Sequence, residues 1–188
     1  MNNLITENAV YGSYDVNLKC RDKDNSDPEG TKQTLELTVN VNEKSAVSLN
    51  IAESGSTEGS IDIDGETTYQ VKINNDGNKE DTFSLSISSN SWDASFEDDS
   101  ITIAAFSNQI VTLTIESENG VEYGDSDDLT VIATSGNDGS VNGNLDITTY
   151  VRVLYGIGLT TTSSDVSGQP GDTVIFNFRI LNKWSDDI

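Results

Sequence analysis

Gly65-Glu66-Thr67-Thr68-Tyr69-Gln70-Val71-Lys72-Ile73-Asn74-Asn75-Asp76-Gly77-Asn78 reads as one β-strand closed by a turn. Tyr69, Val71 and Ile73 alternate with Gln70 and Lys72, the period of two that sends every second side chain to one face of a sheet. Asn75-Asp76-Gly77-Asn78 is turn chemistry, because Asn and Asp bond their own backbone and Gly relaxes its dihedral limits. The phrase returns about 110 residues later as Gly171-Asp172, then Val174, Phe176, Phe178 and Ile180, then Asn182-Lys183-Trp184-Ser185. A second phrase repeats with it. Tyr11-Gly12, Val16, Leu18, a polar loop, then Leu35, Leu37, Val39 and Val41 come back as Tyr123-Gly124, Leu129, Val131, a polar loop, then Leu145, Ile147, Thr149 and Val151.

Self-similarity at a fixed period is the mark of a tandem array. The chain accordingly reads as three units. Residues 1–43 are the closing part of a module, 44–152 a complete module, and 153–188 the opening part of a further one. Within the complete module, alternation and turn clusters predict strands over 47–51, 67–73, 83–88, 100–103, 109–115, 128–135 and 145–151. About seven antiparallel strands in such a length is the expectation for an all-β, immunoglobulin-like sandwich. Phe83, Leu85 and Ile87 are expected to share one face, as Tyr69, Val71 and Ile73 do. The stretch 53–60, Glu-Ser-Gly-Ser-Thr-Glu-Gly-Ser, reads as a flexible loop. No segment carries a helical apolar period.

Charge sets the partners. Ten Lys and Arg stand against 32 Asp and Glu, a formal net charge of −22 over 188 residues. Binding to nucleic acid depends on basic residues that displace counterions from phosphates, so that partner is excluded. Direct contact with an anionic membrane is disfavoured on the same ground and is not expected. An acidic surface of this kind stays soluble where salt screens its self-repulsion, as in a marine or saline exterior. Met1-Asn2-Asn3-Leu4-Ile5-Thr6-Glu7 has neither the basic region nor the apolar run of a signal peptide. The chain is therefore expected to be a segment of a longer extracellular or cell-surface protein whose targeting signals lie elsewhere. None of the asparagines is followed two positions later by Ser or Thr, so N-glycosylation of this segment is not expected.

The phrase Gly171 to Asn182, with Gln169-Pro170 before it, resembles the PGD-T-V-x-F-x-F-x-V-x-N strand of tandem Ig-like modules on bacterial and archaeal surfaces. The copy from Gly65 to Asn78 is one residue shorter and ends in the Asn-x-Gly-Asn turn. The complete module resembles the NEW3 and CARDB-type domains of large surface proteins and of chains that carry glycosidase domains. That resemblance implies a spacer, adhesive or accessory role and brings no catalytic residues with it.

The residues themselves argue against catalysis. There is no histidine, and Cys20 is the single cysteine, so it has neither an activating His nor a disulfide partner. Its place in the Val16, Leu18, Cys20 alternation predicts a buried thiol. No phosphate-binding glycine loop is present. With so many carboxylates, neighbouring pairs carry no information about glycoside cleavage. No cofactor is expected; calcium alone stays open. Asp22, Asp24, Asp27 and Glu29 crowd one loop, and calcium takes six to eight oxygen ligands. Yet Asp27 stands where an EF-hand has its glycine and Gln33 where it has its bidentate glutamate. The corresponding loop, Gly136-Asn137-Asp138-Gly139-Ser140, holds one carboxylate. Acidic runs at Glu97-Asp98-Asp99 and Asp125-Ser126-Asp127-Asp128 read as solvated charge that guards strand edges.

Two tryptophans are the candidate binding residues. Trp92 either plugs the core or offers its indole to a sugar. Trp184 falls where the complete module has Gly77, which predicts a turn tip. The expected partners are neighbouring modules of the same array. Self-association, head to tail or edge to edge, is expected through the incomplete ends. A structural spacer is the leading reading and a carbohydrate- or protein-binding module the alternative.

Overall fold

The computed structural model describes residues 8–20, 33–53, 55–152, 155–161 and 165–184, and of Cys20, Gln33, Tyr155, Asn182, Lys183 and Trp184 it describes the backbone only. Every regular element among them is a strand. Nine strands build a two-layered sandwich between residues 47 and 151. One layer has the order β3 (Val47–Ile51), β5 (Glu66–Asn75), β9 (Asn108–Glu116), β7 (Asp93–Phe96). The other runs β4 (Glu58–Ile61), β11 (Asn142–Val151), β10 (Ser126–Ser135), β6 (Asp81–Ser88), β8 (Ser100–Ile103). The fold is an all-β, Ig-like sandwich.

Alternation makes the core. Tyr69, Val71 and Ile73 of β5 point inward, and so do Phe83 and Leu85 of β6, Leu113 and Ile115 of β9, and Leu129, Val131 and Ala133 of β10. Each large aliphatic or aromatic side chain taken from water in this way contributes about 1.5–3 kcal/mol. Gln70 and Lys72 lie on the opposite face of β5, as the period of two requires.

Two elements depart from the sequence reading. Part of the stretch expected to be a loop is β4, which pairs parallel to β11 from Thr148↔Glu58 to Val151↔Ile61. Ile61 is its buried anchor. The irregular stretch after residue 91 contains β7, paired antiparallel to β9.

Two hairpins flank the sandwich. β1 (Gly12–Cys20) pairs with β2 (Gln33–Val41), and β12 (Tyr155–Thr161) with β13 (Phe178–Trp184). Their registers match pairs inside the sandwich. Val16↔Leu37 and Leu18↔Leu35 stand as Leu129↔Ile147 and Val131↔Leu145 do. Ile157↔Asn182 and Leu159↔Ile180 stand as Val47↔Asn75 and Leu49↔Ile73 do. The two hairpins join the sandwich at opposite ends. β11 starts where a Cβ on Gly143 would meet Leu49 and Val47, and it leaves at Val151, a run of about 30 Å at strand rise.

Candidate functional site

A densely bonded polar cluster lies where the first hairpin enters the sandwich. β5 ends at Asn75, whose side chain is buried at 2% exposure. Its Nδ2 donates to the carbonyls of Lys79 at 2.8 Å, Ile103 at 2.9 Å and Ala104 at 3.2 Å, and its Oδ1 accepts from the Gly77 amide at 2.9 Å. A Cβ on Gly77 would sit 2.7 Å from the Lys44 carbonyl oxygen, so the turn admits no side chain there. Asn78 faces the incoming chain. Its Oδ1 accepts from the Lys44 amide at 2.8 Å and its Nδ2 donates to the Asn42 carbonyl at 2.9 Å. Its own amide donates to the Lys44 carbonyl at 3.0 Å, and its carbonyl accepts from the Tyr11 amide at 2.7 Å. Lys79 adds an ion pair with Glu43 at 2.9 Å and lies 5.2 Å over the Tyr11 ring. The hydrogen bond to Glu43 raises the pKa of the Lys79 ammonium, with burial opposing it.

A cleft of about 520 Å³ opens beside this joint, lined by side chains including Asn8, Asn42, Asn74, Asn108 and Phe106. Phe106 is 41% exposed and holds a positive φ of 54°, a conformation that a bulky residue adopts only under tertiary constraint. Its amide donates to the Gly77 carbonyl at 3.2 Å, which ties the strained residue to the turn.

At the opposite end, the exit from β11 is held by Arg152, which grips Asp62 through Nε to Oδ1 and Nη2 to Oδ2. The Arg152 amide also donates to the Ile61 carbonyl at 2.9 Å. The guanidinium hydrogen bond holds the Asp62 carboxyl below its ordinary range. A depressed carboxylate supports the fold above its unfolded pKa and loses that support as pH falls through the folded value. In the Arg152→Ala variant, the carboxyl carbon of Asp62, followed by NMR against pH, is expected to titrate at a higher midpoint than in the parent. An unchanged midpoint would show that the pair does not persist in solution.

The candidate residues from the sequence fare unevenly. Asp22, Asp24, Asp27 and Glu29 lie outside the described residues. In the corresponding loop, Asp138 Oδ1 accepts from the Ser140 amide at 3.0 Å and the Ser140 hydroxyl at 2.6 Å, which lowers its pKa. That carboxylate shapes a turn. Among the described residues, no three His, Cys, Asp or Glu side chains cluster as metal ligands would. Trp92 is 4% exposed and packs in the core, so it presents no face to a sugar. Trp184 is no turn tip: its backbone closes β13 opposite Tyr155. The side chain of Trp184 lies outside the described residues.

The acidic run 125–128 also departs from its reading as solvated charge. Asp127 is buried, and its carboxylate accepts the Ser91 amide at 2.8 Å and the Trp92 amide at 3.3 Å. Buried Asp81, unmarked in the sequence, takes the Ser135 hydroxyl and the amides of Gly136 and Asn137. Among the described residues neither forms an ion pair, and the amides and the hydroxyl supply the hydrogen bonds that a buried carboxylate needs.

No family model matches the chain, and no curated protein matches it by sequence. Among solved structures, it is similar to a family 123 glycoside hydrolase from Clostridium perfringens, at 10% identity and a TM-score of 0.42 over 57% of this chain and 27% of that one. It is similar to PapD-like domain 7 of human CEP192, at 11% identity and a TM-score of 0.40 over 56% of this chain and 83% of that one. A third likeness is to the CsuC–CsuE chaperone–tip adhesion subunit complex of Acinetobacter baumannii Csu pili, at 12% identity and a TM-score of 0.34 over 58% of this chain and 56% of that one. The chain thus spans about a quarter of the glycoside hydrolase's length.

Proposed function

We propose that this chain is a non-catalytic structural segment of an extracellular or cell-surface protein, in which Ig-like modules follow one another and hold an end-to-end spacing. The observation that carries this reading is the register of the flanking hairpins, which repeats that of β10–β11 and β3–β5 pair for pair. The placement of entry and exit at opposite ends of the sandwich supports it, since each module then adds its long dimension to the array. So do the two joints, where Asn78 and the Arg152–Asp62 pair hold the chain at its crossings. The Gly171–Asn182 phrase supports membership in the NEW3 and CARDB type of surface module. Boundaries near residues 43 and 153 follow from the same repeat.

A second reading, a binding module, rests on the cleft at the entry joint, where a strained, exposed Phe106 sits among amide side chains. Amides and an aromatic face are the equipment for a neutral sugar.

The test is small-angle X-ray scattering together with thermal unfolding, at low protein concentration, with calcium or EDTA and at low and high sodium chloride. An elongated particle is expected in all conditions. The melting temperature is expected to rise with ionic strength, as salt screens the −22 surface. Calcium at matched ionic strength is expected to add nothing. A calcium increment reversed by EDTA would instead mean a specific ion site. A compact, folded-back particle would overturn the spacer reading.

A further inference from the structure

Asn119-Gly120 and Asn142-Gly143 are the same dipeptide in two settings. The backbone nitrogen after an asparagine can attack that residue's own side-chain amide carbon. A following glycine favours the attack, because it has no Cβ in the way and leaves the chain free to turn. The reaction also needs a backbone amide that is not committed to a hydrogen bond, and a segment that can rotate.

The other Asn-Gly and Asp-Gly steps among the described residues each lack one of these conditions. The Gly65 amide donates to the Asp62 carbonyl and to Ser117 Oγ, both at 3.1 Å. The Gly77 amide donates to Asn75 Oδ1 at 2.9 Å. Before Gly139, the Asp138 carboxylate is fixed by the amide and the hydroxyl of Ser140. Asn142 and Gly143 lie in β11, opposite Thr134 and Ala133 of β10, and a Cβ on Gly143 would sit 3.0 Å from the Val47 carbonyl oxygen.

Asn119-Gly120 differs on every count. Both residues are exposed, in the connection between β9 and β10. No hydrogen bond to another described residue engages the Asn119 side chain or the Gly120 amide. Gly120 holds a φ of +89°, as the third residue of a type II turn does, and nothing lies within 4 Å of where its Cβ would stand. The bond that closes the turn, from the Val121 amide to the Glu118 carbonyl, is 3.4 Å, longer than the usual range. Firmer anchors lie to either side: the Ser117 amide on the Gly65 carbonyl and the Gly124 amide on the Val151 carbonyl, both at 3.0 Å.

From this contrast we infer that Asn119 is a site of spontaneous covalent modification, closing on the Gly120 nitrogen to a succinimide that water opens to isoaspartate and aspartate. The Gly120 nitrogen bonds to Asn119 Cγ and gives up its proton. The Cγ–Nδ2 bond breaks, and ammonia leaves with that proton. Water then cleaves one of the two ring bonds to the nitrogen. Cleavage at Cγ gives aspartate, and cleavage at the α carbonyl gives isoaspartate, whose main chain runs through Cγ. Each event adds a carboxylate beside Glu118 and Glu122, at the end of the sandwich where Gly124 holds Val151. Asn142 must wait for the β10–β11 ladder to open locally, a rare state for a core strand.

The experiment is incubation of the full chain at slightly alkaline pH, folded and in concentrated urea, followed by cleavage after glutamate and peptide mass spectrometry. Glu118 and Glu122 bracket Asn119, so its peptide separates from that of Asn142. In the folded chain, the gain of one mass unit is expected at Asn119 about tenfold faster than at Asn142, or more. In urea the two rates are expected to converge, because the dipeptide is the same. Equal rates in the folded chain would overturn the inference. So would an Asn119 that reacts more than about tenfold slower folded than in urea, since the turn would then be held closed.

Discussion

Replacing Trp92 with alanine is expected to cost about 3–5 kcal/mol of stability, the usual range when a buried indole is removed from a packed core. The residue is 4% exposed, and its segment is pinned to the neighbouring sheet through Asp127, which accepts the Ser91 and Trp92 amides. Asn90 adds a bond to the Trp92 carbonyl at 2.8 Å. The pinned backbone cannot collapse into the space left behind, which places the cost toward the upper part of that range. Trp92→Phe keeps most of the volume and is expected to cost roughly half as much. Urea unfolding followed by far-ultraviolet dichroism measures both, the midpoint falling with an unchanged slope. A change within about 0.5 kcal/mol for Trp92→Ala would mean a surface indole, and would reopen the sugar-stacking role that burial removes.

The strands legible in the sequence were those whose own alternation was enough. β5, β6, β9, β10 and β11 each place at least two apolar side chains inward at a spacing of two, and each lies within two or three residues of its expected bounds. β4 was hidden because Glu58-Gly59-Ser60-Ile61 offers one apolar side chain, and its pairing to β11 is parallel and made from a distant part of the chain. β7 was hidden in a similar way, its backbone bonds supplied by β9. The acidic residues failed more instructively. Asp127 and Asp128 are neighbours on one strand, so the pleat sends them to opposite faces. Asp128 meets the Thr148 hydroxyl at the surface, while Asp127 is carried inside to the Ser91 and Trp92 amides. A run of carboxylates cannot announce which member the pleat will bury. The joint was half legible: the Asn-Asp-Gly-Asn turn stands out as repeated turn chemistry, but its bonds go to Asn42, Lys44 and Tyr11, which sequence order does not place beside it.

That joint supplies the second large effect. Asn75→Ala is expected to destabilise the sandwich by about 3 kcal/mol, because it strands several backbone groups at once and each buried group without a partner costs about 1–3 kcal/mol. The carbonyls of Lys79, Ile103 and Ala104 lose their donor, and the Gly77 amide loses its acceptor. Water reaching the turn recovers part of that sum, which keeps the total below the simple addition of four losses. Asn75→Asp is the sharper test. It keeps an acceptor for Gly77 but sets a carboxylate against three carbonyl oxygens, which together with burial raises its folded pKa. A group whose folded pKa lies above its unfolded one binds its proton more tightly in the native state, so the variant gains stability as pH falls through that folded value. Its deficit relative to the parent is therefore expected to shrink between neutral and mildly acid pH, while that of Asn75→Ala stays constant. Urea midpoints at the two pH values read both. If both variants lay within 1 kcal/mol of the parent, the turn would be held by its backbone bonds alone, from Asn78 to Lys44 and from Asn75 to Ser107, and the asparagine side chain would be a passenger in its own repeat.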